Sequence, residues 1–468
     1  MVELQAITSN GTRTVLSQEA LEEFKGSLRG QLILPEDDGY DEARTLWNAQ
    51  IDKHPALIAR CAGVSDVIGS VKFARANNLL VAVRGGGHSF PGNSVCEGGL
   101  MIDLSPMKGV RVDPSNLTAR AEPGVNWGEF DRETQAFGLA TTGGTLTDTG
   151  IAGLTLGGGI GWLCRKFGLS VDNLLSVDMV TAEGEFLKAS ATENEELFWG
   201  LRGGGGNFGI VTSFEYKVHP VGTILGGMLI HPMENAREVL TFFHKFATGA
   251  PDELMMGAAM LTSPEGAPVV VIIVCYNGSI ETGEQVLKPL REFGNPIADL
   301  IAPVPYSHVQ SLLDDGFLPG RRNYIKTNFM DVIDDDAASV LMERFESVPS
   351  PYSAVALFQL GGAVARVGKE ETAFYHRDKG YHMFLASVWE DAADDEKNFR
   401  WARETWSAMQ RFSSDGVYVN EMGDEQDGLD RIKEAYGPRT YERLVALKNK
   451  YDPTNFFHLN PNIKPTAG

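Results

Sequence analysis

The 468-residue sequence has no apolar run of the 18 or more residues that a membrane-spanning helix needs. Residues 1–5 also lack the basic and apolar regions of a secretory signal. The chain has only four cysteines (Cys61, Cys96, Cys164 and Cys275), and no two of them form a CxxC pair. This spacing excludes the common zinc patterns and a dense disulfide framework. We therefore expect a cytoplasmic protein with no membrane segment and no bound metal.

Basic residues are scarce relative to acidic ones: 41 Lys and Arg stand against 62 Asp and Glu, a net charge of −21. A surface of this sign repels polyanions, which disfavours nucleic acid and anionic membranes as partners. The apolar content of 43% and the charged content of 22% are ordinary for a globular chain. At this length we expect more than one domain.

Glycine is plentiful, with 52 residues, and one cluster lies in the segment 83–89 (VRGGGHS). The segment follows a short apolar run of strand length at residues 78–82. Consecutive glycines after a strand can adopt positive φ and can present their amides to an anion. His88 at the end of this loop would then lie beside the bound group. A tight turn with a structural histidine is the alternative interpretation.

Two further glycine clusters occupy residues 141–164 and 203–209. So many glycines disfavour a helix or a plain strand, and their interleaving with Ile, Leu and Trp disfavours a flexible linker. They are typical of backbone that packs against a flat, bulky non-protein group. Gly204, Gly206 and Gly209 satisfy GxGxxG, but they precede a strand instead of following one. We therefore reject a dinucleotide-binding motif.

Hydrophobic periodicity predicts two regions of different character. In the first, helices are predicted at residues 17–30, 65–77, 127–137 and 195–202, and strands at 55–59, 79–83, 100–104, 118–122, 176–181, 186–188 and 210–218. In the second, strands at 226–231, 255–261, 268–276, 354–360 and 381–389 alternate with helices at 235–246 and 281–293. The predicted fold class is α+β, and the second region is expected to be a mostly antiparallel sheet covered by helices on one face.

Four segments together resemble a known family: residues 84–89, 153–164, 203–212 and the terminal 451–463. In this order and spacing the chain resembles the berberine bridge enzyme-like group of the vanillyl-alcohol oxidase superfamily, whose FAD-binding fold is of the PCMH type. The resemblance covers nearly the whole length. It implies a two-lobed FAD-binding domain formed by residues 1–218 plus 413–468, with a substrate domain at residues 219–412 inserted between the halves.

The resemblance also implies covalent FAD, bonded through its 8-methyl group to His88 and through carbon 6 of the ring to Cys164. A small buried hydrophobe is the alternative for Cys164, as it is for the other three cysteines. Thr149 stands where relatives control oxygen access, and its small side chain fits an oxidase. The cofactor-binding residues implied are Arg84, Gly85, Gly86, Gly87, His88, Ser89, Gly92, Thr142, Gly143, Thr149, Gly150, Gly153, Gly157, Gly158, Gly161, Cys164, Asn173, Gly209, Ile210, Val211, Tyr418, Asn420 and Asn460.

Oxidation of an alcohol needs a base for the hydroxyl proton. The resemblance directs two strands at the flavin, residues 416–421 and 381–389. Glu421 stands where relatives often carry a tyrosine base, so it is one candidate, and a solvated surface acid is its alternative. His382 is the second candidate because alternation places it on one strand face with Phe384 and turns Tyr381 away. A structural histidine is the alternative there. Tyr418 completes the predicted catalytic set, positioning the substrate or contacting the flavin.

These observations predict an oxidase with bicovalent FAD that converts an alcohol of a sugar, glycoside or secondary metabolite to a carbonyl and reduces O2 to H2O2. The alternatives are C–N oxidation of an alkaloid-like amine, a dehydrogenase with a non-oxygen acceptor, and a non-catalytic flavin carrier. A serine hydrolase is disfavoured because the sequence after Ser89 lacks the final glycine of GxSxG. The expected partners are a small-molecule substrate and O2. Substrate identity, oligomeric state and the choice of base stay open.

Overall fold

A computed structural model describes residues 3–422 and 428–466 of the chain. Near the N-terminus a mixed four-stranded sheet contains three parallel strands, and the helix Val64–Ala76 connects two of them. The strand order is Gln31–Ile33, Leu57–Arg60, Leu100–Asp103, Val81–Arg84. The carboxyl end of Val81–Arg84 leads directly into the first glycine cluster, as the sequence predicts.

A second sheet of five antiparallel strands continues the same half of the molecule. Its order is Phe186–Ser190, Leu174–Val180, Ile210–Lys217, Thr118–Ala121, Val110–Asp113. Two-stranded pairs join Leu4–Ile7 to Arg13–Leu16 and Leu139–Ala140 to His219–Pro220. The predicted hairpin at residues 176–188 is confirmed by the first two strands of the five-stranded sheet.

The second half is built on one antiparallel nine-stranded sheet. Its order is Ala298–Asp299, Thr223–Pro232, Pro268–Tyr276, Leu254–Thr262, Ala354–Gln359, Tyr381–Trp389, Arg322–Met330, Ser413–Ser414, and Ala302–Pro305 also pairs with Thr223–Pro232. This confirms the predicted antiparallel sheet and adds the strand Arg322–Met330, which periodicity did not predict. The domain limits at residues 218 and 412 stay a prediction.

The two faces of the nine-stranded sheet bury different sets of side chains. Met256 and Met383 point to one face, which packs on the helices Ala236–Ala247, Asp335–Glu346 and Asp395–Met409. Their neighbours Met255 and His382 point to the opposite face, because side chains alternate along a strand. That opposite face looks toward the glycine-rich half of the molecule.

The remaining helices pack around both halves. The α-helices not yet named are Gln18–Ser27, Tyr40–Arg44, Trp127–Gln135, Ile151–Gly157, Cys164–Phe167, Glu195–Leu201, Ile280–Glu292, Tyr306–Gln310, Ala363–Arg366, Leu429–Tyr436 and Pro438–Tyr451. Short 3₁₀ turns lie at Ser170–Asn173, Met233–Asn235, Asp314–Gly316, Ala392–Asp394, Gln410–Phe412 and Val419–Glu421. Within residues 3–422 and 428–466, none of the helices has the length and apolar character needed to cross a bilayer.

Two local predictions are wrong. The glycine segment contains the helix Ile151–Gly157, although its glycines disfavour one. Packing overrides the propensity, since Ile151 is fully buried and Asn420 Nδ2 donates to the carbonyl of Leu154. The family resemblance implies a strand at residues 416–421, whereas residues Val419–Glu421 form a 3₁₀ turn.

Candidate active site

A cavity of about 370 Å³ separates the nine-stranded sheet from the glycine-rich half. Glycine loops and four residues of the C-terminal tail form one wall, and side chains of the sheet form the other; the tail residues are Phe457, Leu459, Asn460 and Pro461. The predicted cofactor residues that the structure brings to this cavity are Gly85, Gly86, Gly87, His88, Ser89, Thr149, Gly150, Gly153, Gly209, Ile210, Val211, Tyr418, Asn420 and Asn460. Segments far apart in the sequence therefore meet around one space.

The first glycine cluster is needed for a close approach of two main chains. A Cβ added to Gly86 would lie 2.5 Å from Cα of Gly150 and 2.6 Å from Oδ1 of Asn126. Gly87 has φ +76°, a left-handed conformation that side chains rarely adopt. The loop can thus turn sharply out of the strand Val81–Arg84 and present His88 to the cavity.

His88 is held by aromatic rings and faces a carboxylate. Its ring stacks on Trp47 at 4.2 Å between centroids and meets the edge of Phe90 at 5.5 Å. Its Nε2 lies 3.3 Å from Oδ1 of Asp148, yet the direction is unsuited to a hydrogen bond and Nε2 is buried without a partner. Trp47 and Asp148 were both missed in the sequence, where no local pattern links either residue to the histidine loop.

The glycine-rich wall fits a large planar ligand with polar edges. A Cβ added to Gly153 or Gly206 would meet no atom within 4 Å, so the main chain itself is open to the cavity there. Oδ1 of Asn460 is a second buried cavity atom without a hydrogen-bond partner. Unpaired buried polar atoms cost free energy unless a ligand satisfies them. Bare backbone with such acceptors suits FAD, whose ring is flat and whose edges both donate and accept.

Several predicted cofactor residues lie behind the cavity wall instead. Arg84 donates to the carbonyl of Ala43 and lies 4.0 Å from Asp103, so it supports the histidine loop from outside. Gly92 has φ +74° and leaves room for Ile51, since a Cβ there would stand 2.6 Å from that side chain.

Four predicted glycines pack protein against protein. A Cβ at Gly143 would lie 2.8 Å from the Trp127 ring, and one at Gly161 would lie 2.1 Å from the carbonyl oxygen of Gly143. A Cβ at Gly157 would meet Asn420 at 1.9 Å, and one at Gly158 would meet Phe374 at 2.6 Å. Thr142 is also buried, and its hydroxyl donates to Gly168. The glycines at these positions therefore allow close internal packing, whereas those of the cavity wall leave space for a ligand.

Cys164 does not reach the cavity. It begins the short helix Cys164–Phe167, is fully buried, and packs in a hydrophobic cluster with Met255 and Cys275. Burial raises the pKa of its thiol to about 11, which disfavours the nucleophilic thiolate. The prediction that Cys164 contacts the flavin is therefore corrected, and the alternative of a small buried hydrophobe describes its surroundings.

Asn173 is engaged away from the cavity with His219. Its Oδ1 lies 2.7 Å from Nε2 of His219, and its Nδ2 donates to the carbonyls of Phe167 and Leu169. The His219 ring also stacks on Phe167 at 3.9 Å. Asn173 thus fixes the turn that follows the helix Cys164–Phe167.

The His219 contacts predict a loss of stability in acid. Burial lowers the pKa of His219 from 6.5 to about 4, so the unfolded chain takes up this proton at higher pH than the folded chain does. Stability is then lost as the pH falls from about 6.5 toward 4. We expect His219→Gln to lose less stability than the wild type between about pH 7 and pH 5. Urea unfolding at both values measures this, and equal losses in the two proteins would contradict it.

The two predicted bases form one buried pair. Nε2 of His382 lies 2.7 Å from Oε2 of Glu421, and their side chains are only 4% and 9% exposed. The interpretation of Glu421 as a solvated surface acid is therefore wrong. With the carboxylate ionised, Nε2–H donates to it and leaves Nδ1 of the imidazole as a proton acceptor. This carboxylate–histidine arrangement is that of the base in hydrolytic triads.

Tyr418 is a hydrogen-bond acceptor beside this pair. Its hydroxyl oxygen accepts hydrogen bonds from the amide of Gly159 at 2.9 Å and from Nδ2 of Asn420 at 2.8 Å. Burial, reinforced by the nearby charge of Glu421, raises the pKa of Tyr418. The phenol therefore stays protonated at neutral pH and cannot serve as the base, although it lines the cavity.

Aromatic rings cover the part of the cavity near the pair. Phe384 lies 6.1 Å from Phe90 and 6.3 Å from Phe317 between ring centroids, and its ring is 6.3 Å from His382. Strand alternation places His382 and Phe384 on this face, as predicted, while the Tyr381 hydroxyl bonds to Nδ1 of His244 on the other. Phe317 could not be found from the sequence, because it comes from a loop of no regular pattern.

Comparisons with known proteins cover nearly the whole chain. Residues 55–190 match the family described as FAD binding domain, and residues 417–464 match the family described as berberine and berberine like. An FAD-linked oxidoreductase of Dictyostelium discoideum is 33% identical over 452 residues, which cover 96% of this chain and 97% of that protein.

A nicotine-derivative oxidase is similar in sequence and in structure. The (R)-6-hydroxynicotine oxidase of Paenarthrobacter nicotinovorans is 32% identical over 452 residues, 94% of this chain and 97% of that protein. The crystal structure of 6-hydroxy-D-nicotine oxidase from Arthrobacter nicotinovorans matches with a TM-score of 0.86 and 30% identity, covering 94% of this chain and 98% of that one.

Proposed function

The chain belongs to the berberine bridge enzyme-like family of FAD-linked oxidoreductases, and we propose that it is an oxidase of small, largely apolar alcohols. The observation that carries this proposal is the buried His382–Glu421 pair, which faces a cavity with a wall of aromatic rings. The pair supplies a base for a hydroxyl proton, and the rings select what the hydroxyl is attached to.

The sequence predicts a hydroxyl on a sugar, a glycoside or a secondary metabolite, and the apolar wall of the cavity favours the last of these. A sugar or glycoside carries many hydroxyl groups, and each one loses free energy if it is buried without a hydrogen-bond partner. Apart from His382, the sheet side of the cavity contributes mainly Phe358, Phe384 and aliphatic side chains, and the loops beside it add Phe90 and Phe317. A hydroxyl on an aromatic or terpenoid secondary metabolite fits this wall better than an oligosaccharide does.

The chain's own residues orient the substrate and move its proton. FAD, when bound, supplies the acceptor for two electrons. Nδ1 of His382 accepts the hydroxyl proton, and the carboxylate of Glu421 stabilises the imidazolium that forms. The aromatic rings exclude water from the reacting carbon. Thr149 lines the cavity with a small side chain, which supports access by O2 and release of H2O2.

A second candidate is C–N oxidation of an amine. It is favoured by the 32% identity to an enzyme named for its oxidation of (R)-6-hydroxynicotine, and by the carboxylate of Glu421, which attracts a protonated amine. The His382–Glu421 pair would then act on a cationic substrate that lies against the same aromatic rings.

The test is peroxide formation in air across matched substrates. Purified enzyme is assayed with aromatic alcohols, the corresponding amines, and mono- and oligosaccharides, and H2O2 is measured with a coupled peroxidase. We expect turnover with aromatic alcohols and little with sugars. Amine turnover alone would favour the second candidate, whereas substrate-dependent flavin bleaching without H2O2 would show that O2 is not the acceptor.

Flavin attachment gives a separate prediction. We propose one covalent bond, at His88, and none at Cys164. His88→Ala is therefore expected to release its FAD on denaturation, while Cys164→Ala keeps the wild-type covalent yield, because Cys164 is buried outside the cavity. Intact mass and the yellow colour of acid-precipitated protein measure both. A flavin peptide that contains Cys164 would contradict this.

A further inference from the structure

We propose that Asp148 is the general base that activates His88 for covalent attachment of FAD, a reaction the chain carries out on itself. This inference rests on the proposed attachment at His88. It concerns a residue outside the His382–Glu421 pair, and it assigns a role to a carboxylate that the oxidation of substrate does not use.

The two side chains lie close together but are not hydrogen-bonded to each other. Oδ1 of Asp148 lies 3.3 Å from Nε2 of His88, and this nitrogen is buried without a hydrogen-bond partner. Among the described residues no hydrogen bond holds the Asp148 carboxylate, so this group, and not the stacked ring, can turn to align with Nε2 for proton transfer. The His88 side chain is 9% exposed and that of Asp148 is 37% exposed, so the carboxylate keeps contact with solvent and can return its proton there.

Asp148 is presented by a loop that is pinned on both sides. The amides of Trp127 and Gly128 donate to the carbonyls of Thr149 and Thr147 at 2.9 and 2.8 Å. Asp314 accepts from both the amide and the hydroxyl of Thr147, at 3.0 and 2.6 Å. The main chain at Asp148 is therefore held in place on both sides, which keeps its carboxylate near His88.

His88 is equally constrained. Trp47 stacks on its ring, and the amide of Trp47 donates to the carbonyl of Gly87 at 3.1 Å. A nucleophile and a base whose main chains are held within reach of each other have already lost part of the freedom that would otherwise oppose the reaction.

The attachment step balances with O2 as the oxidant. In the tautomer with its proton on Nε2, His88 has a free electron pair at Nδ1, and Asp148 takes the Nε2 proton as Nδ1 forms its new bond. A bond forms between this nitrogen and the 8-methyl carbon of the isoalloxazine ring, and that carbon loses one hydrogen. The two electrons and two protons released in total reduce O2 to H2O2, one per flavin attached.

The rate of attachment tests the proposal without any substrate. Full-length apo protein from riboflavin-limited cells is mixed with FAD in air, and the covalent adduct is followed by intact mass and by in-gel fluorescence. We expect Asp148→Asn to attach FAD about 100-fold more slowly than the wild type, the usual contribution of a general base. Non-covalent FAD binding, measured by filtration, is expected to persist. Asp148→Glu should recover part of the rate.

Two controls separate a base from a structural support. Asp314→Asn loosens the same loop but keeps the carboxylate of Asp148, so it should attach FAD far faster than Asp148→Asn. Added formate should accelerate attachment in Asp148→Ala and not in His88→Ala. Equal rates in wild type and Asp148→Asn, or equal losses in Asp148→Asn and Asp314→Asn without formate rescue, would overturn the proposal. A wild type that never forms an adduct would instead refute the attachment at His88.

Discussion

Turnover is expected to fall about 100- to 10,000-fold when Glu421 is replaced by glutamine, with FAD still bound. The glutamine amide cannot stabilise a protonated imidazole, and its NH2 group can donate to Nε2 of His382. That donation would force the proton onto Nδ1, the nitrogen that must accept the hydroxyl proton. His382→Ala removes the acceptor itself, and its turnover should fall in the same range.

The kinetics of the variant that lacks both side chains show whether His382 and Glu421 act together or contribute independently. If His382 and Glu421 act together, the variant that lacks both should be little slower than either single variant. Stopped-flow reduction of the flavin measures the chemical step apart from product release. Tyr381→Phe is the matched control, because Tyr381 precedes His382 on the strand but packs against the helices on the opposite face. Wild-type flavin reduction in both single variants would contradict the assignment.

The sequence predicts the scaffold and, for one member of this pair, the direction of its side chain. Period-2 alternation in the strand Tyr381–Trp389 places His382 toward the cavity and Tyr381 away from it, and the structure agrees. The glycine cluster at residues 85–87 similarly predicts a loop that brings His88 to a bound group. In both cases a short local pattern determines the direction of a side chain.

The pairings themselves could not be predicted, because they join distant segments. His382 and Glu421 are 39 residues apart, and Asp148 meets His88 only after the loops fold against Trp47 and Trp127. Cys164 shows the converse error. The resemblance placed it at the flavin, whereas the short helix Cys164–Phe167 turns it into a buried cluster with Met255. The neighbours of Cys164 depend on this short helix, and the sequence pattern did not predict the helix.

Lys448→Met is expected to destabilise the fold and to weaken FAD binding together. Lys448 and Asp452 are both fully buried, with 2.7 Å between Nζ and Oδ2. Nζ also donates to the carbonyls of Asn207 and Phe457, at 2.9 and 2.8 Å, and Asp452 accepts from the amides of Phe456 and Phe457. This one ammonium group therefore joins the 203–209 glycine loop to the C-terminal tail.

Both joined segments line the cavity, through Gly205 and Gly206 on one side and Leu459, Asn460 and Pro461 on the other. Methionine fills the space of the lysine stem but leaves the Asp452 carboxylate buried without its partner, which costs about 3–5 kcal/mol. Thermal and urea unfolding measure the loss, and FAD titration of a His88→Ala background measures binding free of the covalent bond.

In the double variant Lys448→Met with Asp452→Asn, no uncompensated charge remains, so part of the stability should return. Lys450→Met alters an exposed lysine of the same helix and serves as the control. Equal unfolding midpoints for Lys448→Met and Lys450→Met would mean that the buried pair does not hold the tail against the loop.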